Sequence, residues 1–233
     1  MNARHDTTLT RAWMRDGTAV LIGCMETLDD AAFGAPTSLP GWTRAHVLGH
    51  LARNAEALTR LATWARTGVE TPMYVDREQR NAEIKESATH PPDVLRAEVR
   101  STAADLDSAL DALTEPQWQA PVRSALGREI PAAEIPWMRV REVWLHAVDL
   151  AAGVTVDALP PALIDVLLDD VTAALSKKEG CPALTLAPAD RSTSWDLGDA
   201  PARSAVTEPA AQLAGWLTGR VSHPGLPTVP TWL

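Results

Sequence analysis

Glu142 and His146, in the stretch EVWLHAVDL (142–150), stand four positions apart, so on a helix both side chains reach the same point. That is ligand spacing for a divalent metal, although such a pair by itself is more often a hydrogen bond on a helix surface. The surroundings bear on the choice. With an advance of about 100° per residue, Trp137, Val140, Ala147, Val148 and Ala151 fall on the Trp144 side of the helix. Arg139, Glu142, His146 and Asp149 fall about 140–180° away from Trp144 on the same wheel. They form a narrow polar stripe flanked by Met138, Val143, Leu145 and Leu150, where a solvent face would be broad. A narrow polar stripe on an apolar helix suits an internal cavity, and charges there must be paired or bound to metal.

A second segment, HVLGHLARN, places His46, His50 and Asn54 at successive steps of four. His50 and Asn54 border the apolar stripe made by Val47, Leu51, Ala55, Leu58, Ala62 and Ala65, whereas His46 points further out and reads as a surface histidine. A border histidine alone is usually a hydrogen-bonded core residue. Opposite the Glu142/His146 pair, however, His50 completes a three-ligand set, and catalytic zinc has three protein ligands and one open position. Cys24 and Cys181 form neither a CxxC pair nor a disulfide framework and read as ordinary thiols.

These residues need helices to hold them, and helical periodicity dominates residues 1–152. The spacing predicts a first helix over about 8–32, a second from the Thr43 cap to Gly68, and a short one from about Arg77. It predicts a fourth from Pro91-Pro92-Asp93 to about Leu113 and a last over about 137–152, stopped by Gly153. The segment EPQWQAPVRSALGREIPAAEIP reads as a long proline-bearing connection. Main helices joined by uneven loops predict a four-helix bundle with crossover connections. After Gly153 the pattern changes to a helix from Pro160-Pro161, short strands at PALTLAPA and STSWDLGD, and a helix at PAAQLAGWLTGR. The expectation is a bundle over residues 1–155 followed by a small α/β domain over 156–233.

The 233-residue chain is 45% hydrophobic and 22% charged, with a net charge of −9. Residues 1–150 carry 21 acids against 16 bases, and residues 151–233 carry 9 against 5. Neither part is a basic module, so no nucleic-acid partner is expected, and an anionic substrate would have to be drawn by local arginines against the overall field. No apolar run approaches the roughly 20 residues that span a bilayer, and MNARHDTTLT carries no apolar signal stretch. The expectations are a cytoplasmic location and no membrane partner.

The segments GWTRAHVLGHLARNAEAL (41–58), TPMYV with RNAEI, and WMRVREVWLHAVDLAAG (137–153) resemble the mycothiol-dependent maleylpyruvate isomerases of the DinB-like superfamily, and the resemblance runs through nearly the whole chain. It implies a mainly α fold, a DinB-like four-helix bundle followed by a small α/β domain. It implies zinc on His50, Glu142 and His146, with His46 outside the ligand set, and mycothiol as the cosubstrate thiol. The implied reaction is cis/trans isomerisation of maleylpyruvate to fumarylpyruvate in gentisate breakdown, by reversible thiolate addition. An arginine needed for activity in the family falls on Arg220 in GWLTGR, where it would bind a substrate carboxylate or enolate oxygen. The other role open to Arg220 is that of an exposed arginine at a helix end. Tyr74 either lines the thiol pocket or packs, and Asn54 either orients a ligand or binds water. Asp149 is a partner either for a ligating histidine or for Arg139. The implied partners are a dianionic small molecule and mycothiol. Two rival readings stay open: a mycothiol S-transferase acting on another electrophile, and a non-enzymatic zinc-stabilised binding module.

Overall fold

The structure, a computed structural model, describes residues 3–200 and 202–232. One compact unit ends at Gly153 and a second begins at Val154. The first contains α1 (Thr7–Thr27), α2 (Arg44–Thr67), α3 (Arg77–Ser87), α4 (Pro92–Asp111) and α5 (Ile135–Asp149). Helices α1, α2, α4 and α5 form a four-helix bundle in which α1 packs on α5, and α2 on both α4 and α5. Short α3 lies against α2.

Local chemistry explains where these helices start and stop. Asp6 and Asp76 cap α1 and α3 by accepting from Leu9 and Gln79 backbone N–H groups at 3.0 and 2.7 Å. Thr43 caps α2, and Gly68, at φ 72°, closes it in the left-handed conformation that spares a Cβ. The first helix is shorter than its periodicity predicts. It ends at Thr27 because Asp29 takes the Ala32 N–H at 2.8 Å and starts a separate 3₁₀ turn, Asp30–Gly34. The proline-bearing connection contains a hairpin that the sequence did not announce, β1 (Pro121–Arg123) against β2 (Glu129–Pro131). Its turn is made by Gly127, at φ 75°, and its inner face by buried Val122 and Ile130.

Two contacts set α5 relative to its neighbours. Arg44, in the first turn of α2, donates to the carbonyls of Leu150 at 2.7 Å and Ala151 at 3.3 Å, satisfying the C-terminal end of α5. Trp144 Nε1 donates to the Trp13 carbonyl of α1 at 2.9 Å within the core. This second contact needs Gly17, because a Cβ there would lie 2.5 Å from Trp144 Nε1 and 2.6 Å from Val143 Cγ2.

The second unit contains α6 (Pro161–Leu175), β3 (Leu184–Leu186), β4 (Trp195–Leu197), β5 (Ser204–Val206) and α7 (Ala210–Leu217). The sheet order is β4-β3-β5, with β3 antiparallel to β4 and parallel to β5. Strand β5 was not expected. It is three residues long with only Val206 buried, too short to show an alternation. Leu184, Leu186, Trp195 and Leu197 are buried, α6 packs on β4, and Trp195 Nε1 donates to Asp169 of α6 at 2.6 Å. The chain is therefore mainly α, a four-helix bundle followed by a small α/β unit, as the sequence predicts. No helix among the described residues is long and apolar enough to cross a membrane.

Gly17→Ala should destabilise the bundle by about 1–3 kcal/mol, the usual cost of overpacking a core. Gly23→Ala, on the same helix with nothing within 4 Å of its added Cβ, should be neutral or stabilising by up to about 1 kcal/mol. Urea midpoints of the two variants check the contrast.

Candidate metal centre

Helices α2 and α5 lie side by side, and their polar residues meet. His50, Glu142 and His146 each bring one ligand atom to within 4.8 Å of the other two, and among the described residues they are the one such cluster of His, Cys, Asp or Glu. Glu142 Oε2 lies 2.8 Å from His50 Nε2 and 3.2 Å from His146 Nε2. The two rings meet edge to face with centroids 5.0 Å apart. His146 Nδ1 faces Asp149 Oδ2 at 2.8 Å, and Asp149 is buried. The side chains of His50 and His146 are 4% and 11% exposed and that of Glu142 is 24% exposed, so the cluster reaches solvent on the glutamate side.

With its Nδ1–H donated to Asp149, neutral His146 turns the lone pair of Nε2 toward the Glu142 carboxylate. Lone pairs and a carboxylate oxygen repel at that distance, so something positive, a proton or a metal ion, must stand among them. Without metal the burden falls on protons. Burial pushes His50 below the ordinary histidine value of 6.5 despite the opposing pull of Glu142. Burial would lower His146 too, but hydrogen bonds to Asp149 and Glu142 outweigh it and raise that ring above 6.5. Burial would raise Glu142, yet the charges and hydrogen bonds of His50 and His146 hold it well below the usual carboxylate range. Two imidazoles and a carboxylate, one ring oriented by a second carboxylate, have the donor chemistry that can hold a divalent ion such as zinc. The residues fit such an ion.

The remaining predicted residues distribute around this cluster. Asn54 Oδ1 accepts from Arg139 Nη1 at 2.8 Å, and the same nitrogen donates to the Leu51 carbonyl. Arg139 is fully buried, and its Nε and Nη2 have no protein partner among the described residues. Burial lowers it to about 10, against the upward pull of Glu142 and Tyr74, so it stays a cation at neutral pH. Asp149 lies on His146. His46 is not a simple surface histidine. It occupies the third position of α2, where Nδ1 accepts from the Thr43 backbone N–H at 3.3 Å and closes a capping box. Tyr74 is half-buried between two cations, Arg60 and Arg80, with guanidinium carbons 5.9 and 5.8 Å from the ring centroid. Burial raises its hydroxyl, and Glu142 pushes it further up while Arg80 pulls it down. Arg220 belongs to the second unit, in the turn after α7, where its Nη1 donates to the Thr218 carbonyl at 2.6 Å.

Two residues at the cluster escaped the sequence reading. Trp42 lies with its ring centroid 5.4 Å from His50 and 6.4 Å from both His46 and His146. Its place just before the Thr43 cap was the available signal. Arg80 Nη2 lies 3.4 Å from His50 Nδ1. It sits on a short, charged helix where periodicity carries little information.

The two histidines move oppositely, which determines how the metal-free protein responds to pH. His50, depressed in the fold, contributes stability that is lost as pH falls below 6.5. His146, raised in the fold, contributes stability that is lost as pH rises above 6.5. Metal-free protein should therefore show a urea-midpoint maximum near that value, and His146→Gln should flatten the alkaline flank. A monotonic wild-type profile would contradict the assignment.

A sequence profile described as the mycothiol maleylpyruvate isomerase N-terminal domain matches residues 14–151. Two solved structures match along the entire length of both chains at 36% sequence identity: a mycothiol-dependent maleylpyruvate isomerase, with a TM-score of 0.93, and a histidine-to-alanine mutant of a mycothiol-dependent maleylpyruvate isomerase, with a TM-score of 0.92. The comparison with curated proteins returned no match. With one fold shared end to end and the family profile covering the bundle, this chain belongs to the mycothiol-dependent maleylpyruvate isomerase family.

Proposed function

We propose that this protein converts maleylpyruvate to fumarylpyruvate, using mycothiol as the nucleophile and a zinc ion held by His50, Glu142 and His146. The observation that carries the reading is the convergence of those three side chains in a chain aligned end to end with a mycothiol-dependent maleylpyruvate isomerase. When bound, zinc supplies the Lewis acidity that favours the thiolate form of a thiol at the open position. Asp149 holds His146 by Nδ1 so that Nε2 points inward, and Trp42 against the imidazoles keeps water from that side of the ligands.

The chemistry needs the central double bond of the substrate to become single for a moment. The mycothiol thiolate adds to the alkene carbon β to the ketone, and the π electrons pass to the ketone oxygen as an enolate. The former double bond rotates. The enolate then returns its electron pair, the C–S bond breaks, and the thiolate leaves unchanged. A protein thiol is poorly suited to this role. Cys24 is buried, Cys181 half-buried, and burial pushes both thiols up, so they stay protonated and weakly nucleophilic at neutral pH. Arg220 is assigned to a substrate carboxylate or the enolate oxygen, charges that a net −9 protein otherwise repels. The reaction belongs to gentisate breakdown in the cytoplasm, with no nucleic-acid or membrane partner.

Two measurements test this reading. Elemental analysis should find about one zinc per chain, little in His50→Ala, and the full amount in His46→Ala, since catalytic sites use three protein ligands; full zinc in His50→Ala would sink the ligand assignment. Isomerisation should be absent without added thiol and unimpaired in the Cys24→Ala/Cys181→Ser double variant. Thiol-free turnover would instead place the nucleophile on the protein.

A further inference from the structure

Arg80 reaches the centre from α3 with a contact of a particular polarity. Its Nη2 lies 3.4 Å from His50 Nδ1, and a guanidinium can only donate, so Nδ1 carries a lone pair. The ring proton is then on Nε2, where it donates to Glu142 Oε2 at 2.8 Å. This tautomer serves a metal-free ring only. An ion on Nε2 needs the lone pair there, which moves the proton of a neutral imidazole to Nδ1 and sets two donors face to face. Whereas His146 keeps an acceptor, Asp149, for its second nitrogen, His50 keeps a cation.

We propose that Arg80 is a carboxylate-binding residue of the substrate site, released from His50 Nδ1 when the metal occupies Nε2. Metal loading and anion binding are thereby coupled through one imidazole proton. The inference rests on the proposed function, since the carboxylate is that of its dianionic substrate. Four features favour a carboxylate as the group that takes Arg80. Its planar fork matches a carboxylate with two parallel hydrogen bonds. It is half-buried, so the pairing is poorly screened yet open to a ligand. It lies over the face of Tyr74 and its Nη1 donates to the neutral Asn81 Oδ1 at 3.4 Å, contacts that orient it without neutralising it. Arg60, the other cation at that ring, is occupied by the Met73 carbonyl through Nε at 3.0 Å and Nη2 at 2.5 Å. In a protein of net charge −9, Arg60, Arg80 and Arg139 outnumber the Glu142 carboxylate in the neighbourhood of Tyr74.

The test uses the full-length protein and maleate, a cis dicarboxylate, titrated calorimetrically without mycothiol. Zinc-loaded wild type should bind maleate, and zinc-loaded Arg80→Gln should bind it at least about tenfold more weakly, the scale of one lost charge-assisted hydrogen bond. Arg80→Lys should recover only part of that loss, because lysine lacks the fork. Removing zinc should weaken maleate binding by a larger factor in wild type than in Arg80→Gln; the ratio in the variant measures what the ion contributes alone. In turnover, Arg80→Gln should raise the KM for maleylpyruvate by a similar factor and leave that for mycothiol unchanged. Equal maleate affinity in wild type and Arg80→Gln, or equal zinc dependence in the two, overturns the role of Arg80 while leaving the proposed function standing. A zinc-loaded wild type that neither isomerises maleylpyruvate nor binds maleate overturns the proposed function and Arg80 with it.

Discussion

A carboxylate between two imidazoles in the wall of a helical bundle is the constraint on which the rest of the first unit depends. Glu142 Oε2 sits 2.8 and 3.2 Å from two ring nitrogens that are themselves almost wholly out of water. Such a cluster is costly wherever the dielectric is low unless a positive charge completes it. That need explains its chemistry, since a site short of a positive charge attracts a metal cation. It also explains the polar residues around it. Asp149 fixes one ring, Arg139 places a buried cation one turn before Glu142, and Arg80 touches the other ring. Asp149 and Arg139 are buried and Arg80 half-buried, and each sets a charge beside the carboxylate and the imidazoles.

Geometry of this kind tolerates little slippage between α2 and α5, and the contacts that prevent it are not polar site residues. Arg44 ties the start of α2 to the end of α5. Trp144 ties α5 to α1 by a buried hydrogen bond, which requires the bare backbone of Gly17 opposite. Gly49 plays a similar part for α3, because a Cβ there would lie 2.7 Å from that of Ser87. Close approach at Gly49 brings α3, and with it Arg80, against the His50-bearing face of α2. Small residues at helix contacts and charged residues at the centre are thus parts of one arrangement: the first set the spacing within which the second can meet.

Much of this was legible in the chain itself. The candidate trio of His50, Glu142 and His146 was visible in two separations of four residues and in the narrowness of a polar stripe, because a helix converts sequence spacing into direction with little help from its environment. The Thr43 and Gly68 boundaries of α2 were legible for the same reason, being satisfied by residues within a turn. Where competing local signals were close in strength, as at Asp29 after α1, or where an element was only three residues long, as in β5, periodicity had too few residues to decide.

Other features depend on partners distant in sequence. Whether Asn54 met a ligand, a water or a guanidinium could not be read from α2, because its partner Arg139 lies 85 positions away on α5. His46 looked outward by its angle on the helix, yet the backbone N–H that its ring serves lies at the helix start rather than on the helix face. Trp42 and Arg80 became members of the site only when the bundle closed, since neither carries a spacing that points to the cluster of His50, Glu142 and His146. The sequence by itself determined which residues could bind a metal and on which helix faces they stood. The tertiary structure decided which cations and aromatic rings were brought to them, because the energy of a buried charge depends on neighbours that the chain supplies from far away.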